Sequence, residues 1–317
     1  DRIPGVYYRE EDGYGNFPNI SIRGAEGTRS DNVTIMEDGI LTAPAAYSAP
    51  SAYYSPNAAR MGGIEILKGS SQIAHGPHTT GGVINYLSTQ FPTDHSFYLR
   101  STYGSNSAFD IHGYWSDTSE GDFGKVGLLT EIYYRQTDGY RTIDAGNGYG
   151  GSDETGFDLM EPMIKLYWEP NSDVYQRWEF KYGYTEFDAD ETYAGLTESD
   201  IAANPYRRYA GTFLDNIQTD HTRTYLKYLV EPSDNLTLQV AAYYNEFERD
   251  WYKINKAGGQ SVSKVVADPI TYAAAFDDLR LLGTGSLGIK HNSRAYESKG
   301  LQFNFDYETS TGDVTHN

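Results

Sequence analysis

The chain has 317 residues, a formal net charge of −19 and no cysteine, a length that fits one large or two ordinary domains. The acidic balance excludes the basic footprint that nucleic-acid binding requires, and the lack of cysteine excludes a disulfide scaffold and a thiolate metal site. The mean hydropathy of −0.60 and the lack of an eighteen-residue apolar run argue against a membrane-spanning helix. A membrane barrel stays open, since its strands are apolar on one face only and are rich in aromatic residues, here 29 Tyr and 13 Phe.

Two short strands are predicted near the start of the chain. Ile20 and Ile22 alternate with polar residues, and Val33 and Ile35 do the same after a polar segment at 26–32. The Ala-, Pro-, Ser- and Tyr-rich segment that follows is predicted to be an irregular recognition loop.

A helical turn and a second pair of strands come next. Ser55 and Pro56 supply an N-cap and a first helical residue for one or two turns over 57–61. Residues 64–89 then read as strand, loop and strand around a glycine-dense segment in which no helix is expected.

These segments carry motifs in a recognisable order. The motifs are Ile22-Arg23-Gly24, Asp38-Gly39, Ile64-Glu65 with Lys68-Gly69, and Gly81-Gly82 with Ile84-Asn85. Together they closely resemble the plug domain of TonB-dependent outer-membrane receptors. The resemblance covers about the first ninety residues by motif, and the runs at 42–61 and 76–82 look most like the ferric dicitrate type.

The resemblance implies a domain that is enclosed by a barrel. The charged plug residues are then expected to pair with polar groups on the inner faces of the strands, although ordinary surface salt bridges are the alternative. The plug residues singled out as structural are Arg23, Gly24, Glu37, Arg60, Glu65, Lys68, Gly81 and Gly82.

The pattern changes at Phe91-Pro92, which divides the chain into a plug at 1–90 and the first part of a barrel at 91–317. From there, strands of about ten residues or more alternate between apolar and charged faces, which is the length of a tilted membrane-spanning strand. The residues expected to face lipid are Phe97, Ile111, Trp115, Ile132, Leu166, Trp168, Phe180, Leu238 and Phe303.

The connections distinguish a membrane barrel from a soluble sandwich. Tight turns at 170–173 and 232–235 alternate with long segments at 139–156, 188–218 and about 253–293, as in outer-membrane barrels with short periplasmic turns and long outer loops. About eight strands are counted, too few to enclose a plug. We therefore expect a chain truncated at both ends of a protein whose intact antiparallel barrel, by resemblance, has 22 strands and encloses the mixed α/β plug.

Other chemistry receives little support. Residues 283–288 match GxGxxG, but no apolar strand precedes them and no helix follows. His75 and His78 lie close together without a third ligand, and Asp188, Asp190 and Glu191 lack the spacing of a calcium loop. We expect no catalytic site, no cofactor and no resident metal, with iron carried only as a chelate.

A cluster of aromatic and arginine residues lies within 188–218 and suits an anionic metal chelate, since guanidinium groups fit carboxylates and tyrosines supply rigid contact area. The predicted ligand contacts are Tyr193, Arg207, Arg208 and Tyr209 from this loop, with Tyr47 and Tyr53 from the loop at 42–54. The alternative is that the arginines neutralise neighbouring Asp and Glu side chains.

The sequence therefore predicts a transporter in the bacterial outer membrane that imports a ferric chelate, such as ferric dicitrate, into the periplasm. The resemblance implies energy coupling through TonB, by way of a contact segment that we expect to lie outside this chain. A passive porin or adhesin barrel is the main alternative, although it has no use for the glycine-rich first ninety residues. An outer-membrane hydrolase would need a Ser/His arrangement that is not found.

Overall fold

The computed structural model describes residues 3–25, 30, 32–42, 54–75, 79–311 and 314–316. Most of the 42–54 loop, including Tyr47 and Tyr53, lies outside the described residues, as do most of 26–32 and His78. Small sheets form the chain up to Ser88, and one large antiparallel sheet dominates it from Ser96 onward.

The first part of the chain, which we call the plug, is built from a hairpin and a four-stranded sheet. Its strands are β1 (Val6–Glu10), β2 (Pro18–Ile22), β3 (Val33–Glu37), β4 (Ile40–Leu41), β5 (Met61–Leu67) and β6 (Gly82–Ser88). β1 pairs with β2, and the larger sheet has the order β4-β3-β6-β5 with β3 and β6 parallel. The apolar alternation noted in the sequence produces its core, which consists of Ile20, Ile22, Val33, Ile35, Ile84 and Tyr86.

The adjacent glycines before β6 are required by close packing. A Cβ on Gly81 would lie 2.7 Å from the carbonyl oxygen of Asn32, and one on Gly82 would lie 2.6 Å from Cδ1 of Ile22. Gly82 also has φ +137°, a conformation that side chains disfavour. The paired glycines thus let β6 approach β2 and β3.

The expectation of no helix between the 64–89 strands is wrong, because Ser70–His75 form a 3₁₀ helix. The amide of Gly69 donates to the side-chain oxygen of Gln72 at 3.2 Å, and the amide of Gln72 donates back to the carbonyl of Gly69 at 3.3 Å. A 3₁₀ turn needs only three residues per repeat, so it fits between glycines that exclude a longer α-helix. The predicted turn near 57–61 is confirmed as the 3₁₀ helix Ala58–Arg60, but the predicted cap is wrong, because the Asn57 side chain and not Ser55 caps it.

The remainder of the chain consists mainly of strands. In chain order they are β7 (Ser96–Tyr103), β8 (Phe109–Gly121), β9 (Gly124–Thr137), β10 (Thr142–Ile143), β11 (Phe157–Glu169), β12 (Tyr175–Ala189), β13 (Arg207–Arg208), β14 (Asn216–Ser233), β15 (Leu236–Ala257), β16 (Gln260–Ser261), β17 (Leu287–His291), β18 (Arg294–Tyr307), β19 (Thr309–Thr311) and β20 (Val314–His316). The large sheet runs β7-β8-β9-β11-β12-β14-β15, and β18 and β17 both pair with β15. Its eight long strands, β7, β8, β9, β11, β12, β14, β15 and β18, range from 8 to 22 residues and pair antiparallel with their neighbours.

The predicted alternation of the two sheet faces is confirmed. All nine residues expected on the outer face are exposed or half-buried, with Phe97 68 % and Phe303 71 % exposed. On the opposite face, Lys165 and Lys181 are each only 2 % exposed because the plug covers them.

The covered face is not polar throughout. Near the long connections it carries a cluster of Tyr133, Phe157, Leu159, Phe187, Ala189, Ile217 and Trp251, against which Tyr14 and Phe17 of the plug pack. Charged residues occupy this face further along the strands, so apolar and ionic contacts hold different parts of the plug.

Connection lengths alternate as predicted, but the long segments contain helices. They are α1 (Glu198–Ala203), α2 (Val262–Ala267) and α3 (Ala273–Leu281). Thr197 and Ser261 cap the first two with side-chain oxygens, and Val265 and Leu279 pack with Ile254 and Ala257. No helix among the described residues is long and apolar enough to cross a membrane.

Gly127 on β9 tests the packing between neighbouring strands. A Cβ there would lie 2.0 Å from the ring of Tyr167, which is 5 % exposed. We expect Gly127→Ala to destabilise the protein by roughly 1–3 kcal/mol, since the ring must leave its packed position. The urea midpoint of the full-length protein measures this. Gly150→Ala is the matched control, because nothing lies within 4 Å of its added methyl, and equal midpoints for the two variants would contradict the packing account.

Candidate functional site

Two carboxylates of the plug are buried at the point where β3 turns into β4. Glu37 is 2 % exposed and Asp38 is 9 % exposed. Asp38 is held in place from within the plug, because it accepts hydrogen bonds from the backbone amide of Ser88 at 2.9 Å and from its hydroxyl at 2.6 Å. Buried carboxylates require compensating cations.

Arg60 supplies the first cation from the plug itself. Its two terminal nitrogens donate to the two oxygens of Glu37 at 3.1 and 3.0 Å. Its Nε lies 3.2 Å from Oε2 of Glu161 on β11. Arg60, which is 1 % exposed, therefore joins a plug carboxylate to a carboxylate of the large sheet.

Three further cations reach the plug carboxylates from the sheet. Nζ of Lys181 lies 2.6 Å from Glu37 and 2.5 Å from Asp38. Lys165 lies 3.6 Å from Asp38, and Nε of Arg223 lies 3.5 Å from Glu37. Strands β11, β12 and β14 thus all contribute to one site.

We call these seven residues, Glu37, Asp38, Arg60, Glu161, Lys165, Lys181 and Arg223, the ion network. It contains three carboxylates and four cations. Burial alone raises the pKa of Glu37, but the cations around it, Arg60 and Lys181 foremost, outweigh burial and hold the pKa well below its usual range. Burial also raises the pKa of Asp38, but the charges of Lys181 and Lys165 outweigh burial and lower it.

Only two of the predicted plug charges, Glu37 and Arg60, meet the sheet. The other three form no ion pair with the described residues of the large sheet. Lys68 donates to the carbonyl of Pro4 at 2.9 Å, Glu65 accepts from the Asn85 side chain at 2.9 Å, and Arg23 is exposed in the turn that Gly24 completes with φ +78°. β5 is an edge strand of the plug sheet, so Glu65 and Lys68 are not directed at the large sheet.

Sequence reasoning did not single out Asp38 as a site residue, although its Asp-Gly motif was noted. Lys165, Lys181 and Arg223 carried a usable signal, because each occupies the charged side of its strand's alternation.

A second feature lies at the end of the plug near the long connections. A cavity of about 680 Å³ opens between the tip of the β1–β2 hairpin and the segment that follows β12. We call it the apical cavity. Its lining includes Arg9, Glu10, Glu11, Asp12, Phe17, Arg141, Glu191, Tyr193, Leu196, Arg207, Arg208 and Trp251.

The hairpin tip is a fixed wall of this cavity. The Asp12 carboxylate accepts hydrogen bonds from the backbone amides of Tyr14, Gly15 and Asn16 at 3.2, 3.0 and 3.0 Å. The Tyr14 hydroxyl accepts from the amide of Tyr140 at 3.1 Å. Burial raises the pKa of Tyr14 to about 12, so the tip stays uncharged at that ring.

The predicted ligand residues are distributed unevenly around the cavity. Tyr193, Arg207 and Arg208 line it. Tyr209 is only 1 % exposed and lies elsewhere, donating its hydroxyl to Asp200 at 2.7 Å. Tyr47 and Tyr53 lie outside the described residues.

The adjacent arginines are engaged by the protein itself. Arg207 forms ion pairs with Asp144 at 2.5 Å and with Asp200 at 2.8 Å. Neutralisation of neighbouring acids was the alternative to ligand binding that the sequence left open for this residue. Arg208 donates to the carbonyl of Asp190 and, at 3.0 Å, to the carbonyl of Thr212. Both side chains therefore order the loop that surrounds the cavity.

Sequence reasoning missed Arg9 and Arg141. Both line the cavity, and within the part of the chain that the structure describes neither forms an ion pair. Arg9 is followed by three acidic residues, a context that obscured it. Burial, reinforced by the nearby charge of Asp12, raises the pKa of Glu191 to about 7 even though Arg141 and Arg208 oppose the shift.

The remaining sequence motifs have structural explanations. Gly283 and Gly285 of this segment pack against Asp278, which accepts from the amide of Gly285 at 2.8 Å. A helix precedes this loop and a strand follows it, the reverse of a dinucleotide-binding turn. Asp188 accepts from Asn216 and Gln218, each at 2.7 Å.

Lys181→Ala tests the ion network. Removing the lysine leaves the buried carboxylates of Glu37 and Asp38 with less positive charge nearby, so we expect a loss of roughly 3–5 kcal/mol in the free energy of unfolding. Lys299→Ala is the control, since Lys299 is 71 % exposed in its pair with Glu297 and should change stability by about 1 kcal/mol or less. Urea denaturation of the full-length protein measures both variants, and equal losses would contradict a network that anchors the plug.

Comparisons with known proteins agree with this architecture. Residues 1–83 match the family model of the TonB-dependent Receptor Plug Domain. A structure of the ferric citrate transporter FecA in the unliganded form superposes with a TM-score of 0.71 at 18 % identity, over 99 % of this chain and 42 % of that chain.

Two further receptors have the same fold. The ferric yersiniabactin uptake receptor FyuA from Yersinia pestis gives a TM-score of 0.62 at 17 % identity, over 79 % of this chain and 38 % of that chain. The ferric-catecholate import receptor Fiu from E. coli K12, in its open form, gives 0.64 at 16 % identity, over 99 % and 43 %. This chain thus spans about two fifths of the length of these receptors. It combines a plug domain of the TonB-dependent receptor type with an antiparallel sheet that has the fold of part of such a receptor's barrel.

Proposed function

We propose that this chain is part of a TonB-dependent transporter in the bacterial outer membrane that imports a ferric chelate into the periplasm, and that it is not an enzyme. The observation that carries the proposal is the position of the plug. Its buried carboxylates are tied to three strands of the sheet, and its hairpin tip forms a wall of the apical cavity. A ligand in that cavity would contact the plug and the outer loops together.

The sheet supports the membrane part of this proposal. Its outer face carries aromatic and aliphatic residues such as Phe97, Trp168 and Phe303, as expected for contact with lipid. Eight strands closed on themselves would leave room only for side chains, so a barrel that encloses the plug needs more strands, and we propose the 22 of the predicted receptor.

A fixed plug also requires an energy source. Displacing it separates Glu37 from Lys181 and Arg223, and Arg60 from Glu161. Passive diffusion of a chelate supplies no work for this step. We therefore propose TonB as the partner that transmits force to the plug.

Among ferric chelates, we propose a carboxylate-bearing one such as ferric dicitrate. Support comes from the arginines that line the cavity, since guanidinium groups suit carboxylates, and from the fold shared with the ferric citrate transporter FecA. Tyr193, Arg207 and Arg208 stay the proposed contacts from the outer loop, with Tyr47 and Tyr53 from 42–54. Tyr209 would position the loop through Asp200.

Uptake by living cells tests the function. The full-length gene is expressed in an iron-starved bacterial strain that lacks its own ferric chelate receptors, with and without TonB. We expect uptake of radiolabelled iron from ferric dicitrate only when the gene and TonB are both present. Equal uptake without TonB would instead identify a passive porin, and no uptake of any ferric chelate would overturn the transporter.

Phe180→Arg tests the membrane-facing side of the sheet. Phe180 lies on the outer face of β12, and an arginine near the bilayer midplane should cost roughly 2–4 kcal/mol in folding into lipid. Phe180→Leu keeps an apolar side chain and serves as the control. The measurement is reversible folding of the full-length protein into phospholipid vesicles under urea, and a neutral effect of arginine would rule out a lipid-facing position.

A further inference from the structure

The cations of the apical cavity differ in what already binds them. Arg207 is paired with two carboxylates, and Arg208 is held by backbone carbonyls. Arg9 and Arg141 line the same cavity, and no ion pair engages either of them among the described residues. Their charge is therefore open to a ligand.

Two of the four acids that line the cavity, Glu10, Glu11, Asp12 and Glu191, accept hydrogen bonds from the plug. Asp12 accepts three backbone amides within the hairpin tip, and Glu11 accepts from the Asn19 side chain at 2.8 Å. Glu191 lies on the other wall and forms no ion pair with any described residue. Of the two acids that are not bound in this way, Glu10 is exposed and Glu191 is half-buried, so the charge of Glu191 is less screened by water.

We propose that the apical cavity selects an anionic chelate through Arg9 and Arg141, and that Glu191 opposes this selection when it is ionised. The inference rests on the proposed function, because it assigns the ligand class and its regulation to the same cavity. Arg9 comes from the plug and Arg141 from the connection between β9 and β11. An anion held between them would contact both parts of the protein.

The direction of the pH effect follows from the groups around Glu191. Asp12 from the hairpin disfavours its charge, and Arg141 and Arg208 from the outer loops favour it. The other ionisable groups near this wall are Arg9, Glu10, Glu11, Tyr14, Asp190, Tyr193, Arg207 and Asp215. Because burial raises the pKa of Glu191 to about 7, the carboxyl is mostly neutral at pH 6 and mostly ionised at pH 8.

Ionisation therefore adds one negative charge to the cavity as the pH rises. Across a partly buried site such a charge weakens binding of an anion by about tenfold or less. Loss of one arginine that donates to a carboxylate should weaken binding by about ten- to a hundredfold.

The experiment measures dissociation constants of the full-length receptor at pH 6 and pH 8. The probes are ferric dicitrate, which is anionic, and a neutral ferric hydroxamate chelate. The variants are Arg9→Gln, Arg141→Gln and Glu191→Gln. Lys264→Gln is the control, because Lys264 is an exposed cation of α2 that does not line the cavity.

We expect Arg9→Gln and Arg141→Gln to weaken dicitrate binding at pH 6 while Lys264→Gln leaves it unchanged, with little effect of any variant on the neutral chelate. Glu191→Gln should remove the part of the pH dependence that belongs to the protein. Comparing this variant with wild type at each pH cancels any titration of the chelate itself.

The outcomes separate the inference from the function on which it rests. If the wild-type receptor binds no ferric chelate, the proposed function fails. If it binds dicitrate but the arginine variants leave the preference for the anion intact, the inference is overturned. If an arginine variant loses both chelates through damage to the fold, Glu191→Gln decides, and a pH dependence identical to wild type would refute the inference.

Discussion

The structure depends on the pairing of two plug carboxylates with cations that the large sheet supplies. Glu37 and Asp38 are buried where the described part of the plug offers only Arg60, and Lys165, Lys181 and Arg223 complete the site from three strands. A buried carboxylate without a partner is strongly unfavourable, and so is a buried lysine. Each part therefore neutralises the other, and the ionic interior is favourable only when the plug is seated.

This arrangement would suit the proposed transporter, in which the plug is held in place and also displaced. The pairs gain Coulomb energy, but their burial costs desolvation, and the two terms largely cancel for well-formed buried pairs. Water that enters as the plug leaves would solvate the separated groups. The ion network therefore fixes the position and register of the plug more than it adds to stability, while the aromatic contacts of Tyr14 and Phe17 contribute apolar burial at the hairpin tip.

Much of the fold was predictable because the sequence patterns concern single strands. The alternation of apolar and charged residues along each strand assigned Lys165 and Lys181 to the inner face and Phe180 to the outer face, as the structure confirms. The helices α2 and α3 were not predicted, since they are short and are held by packing against β15. The partner of Glu65 was also not predicted. It depends on the orientation of an edge strand, which the sequence does not show and which makes Glu65 bind within the plug. The 22-strand barrel stays a prediction.

The candidate site shows why neighbouring charges in an acidic chain mislead. With 44 Asp and Glu against 25 Lys and Arg, an arginine in a folded loop usually finds a carboxylate nearby, as Arg207 finds Asp144 and Asp200. Arg9 and Arg141 come from separate elements that face one cavity, and neither forms an ion pair there with a described residue, although the lining also carries acids. Such a pair has no signature in the sequence, since it exists only once the plug and the outer connections are brought together.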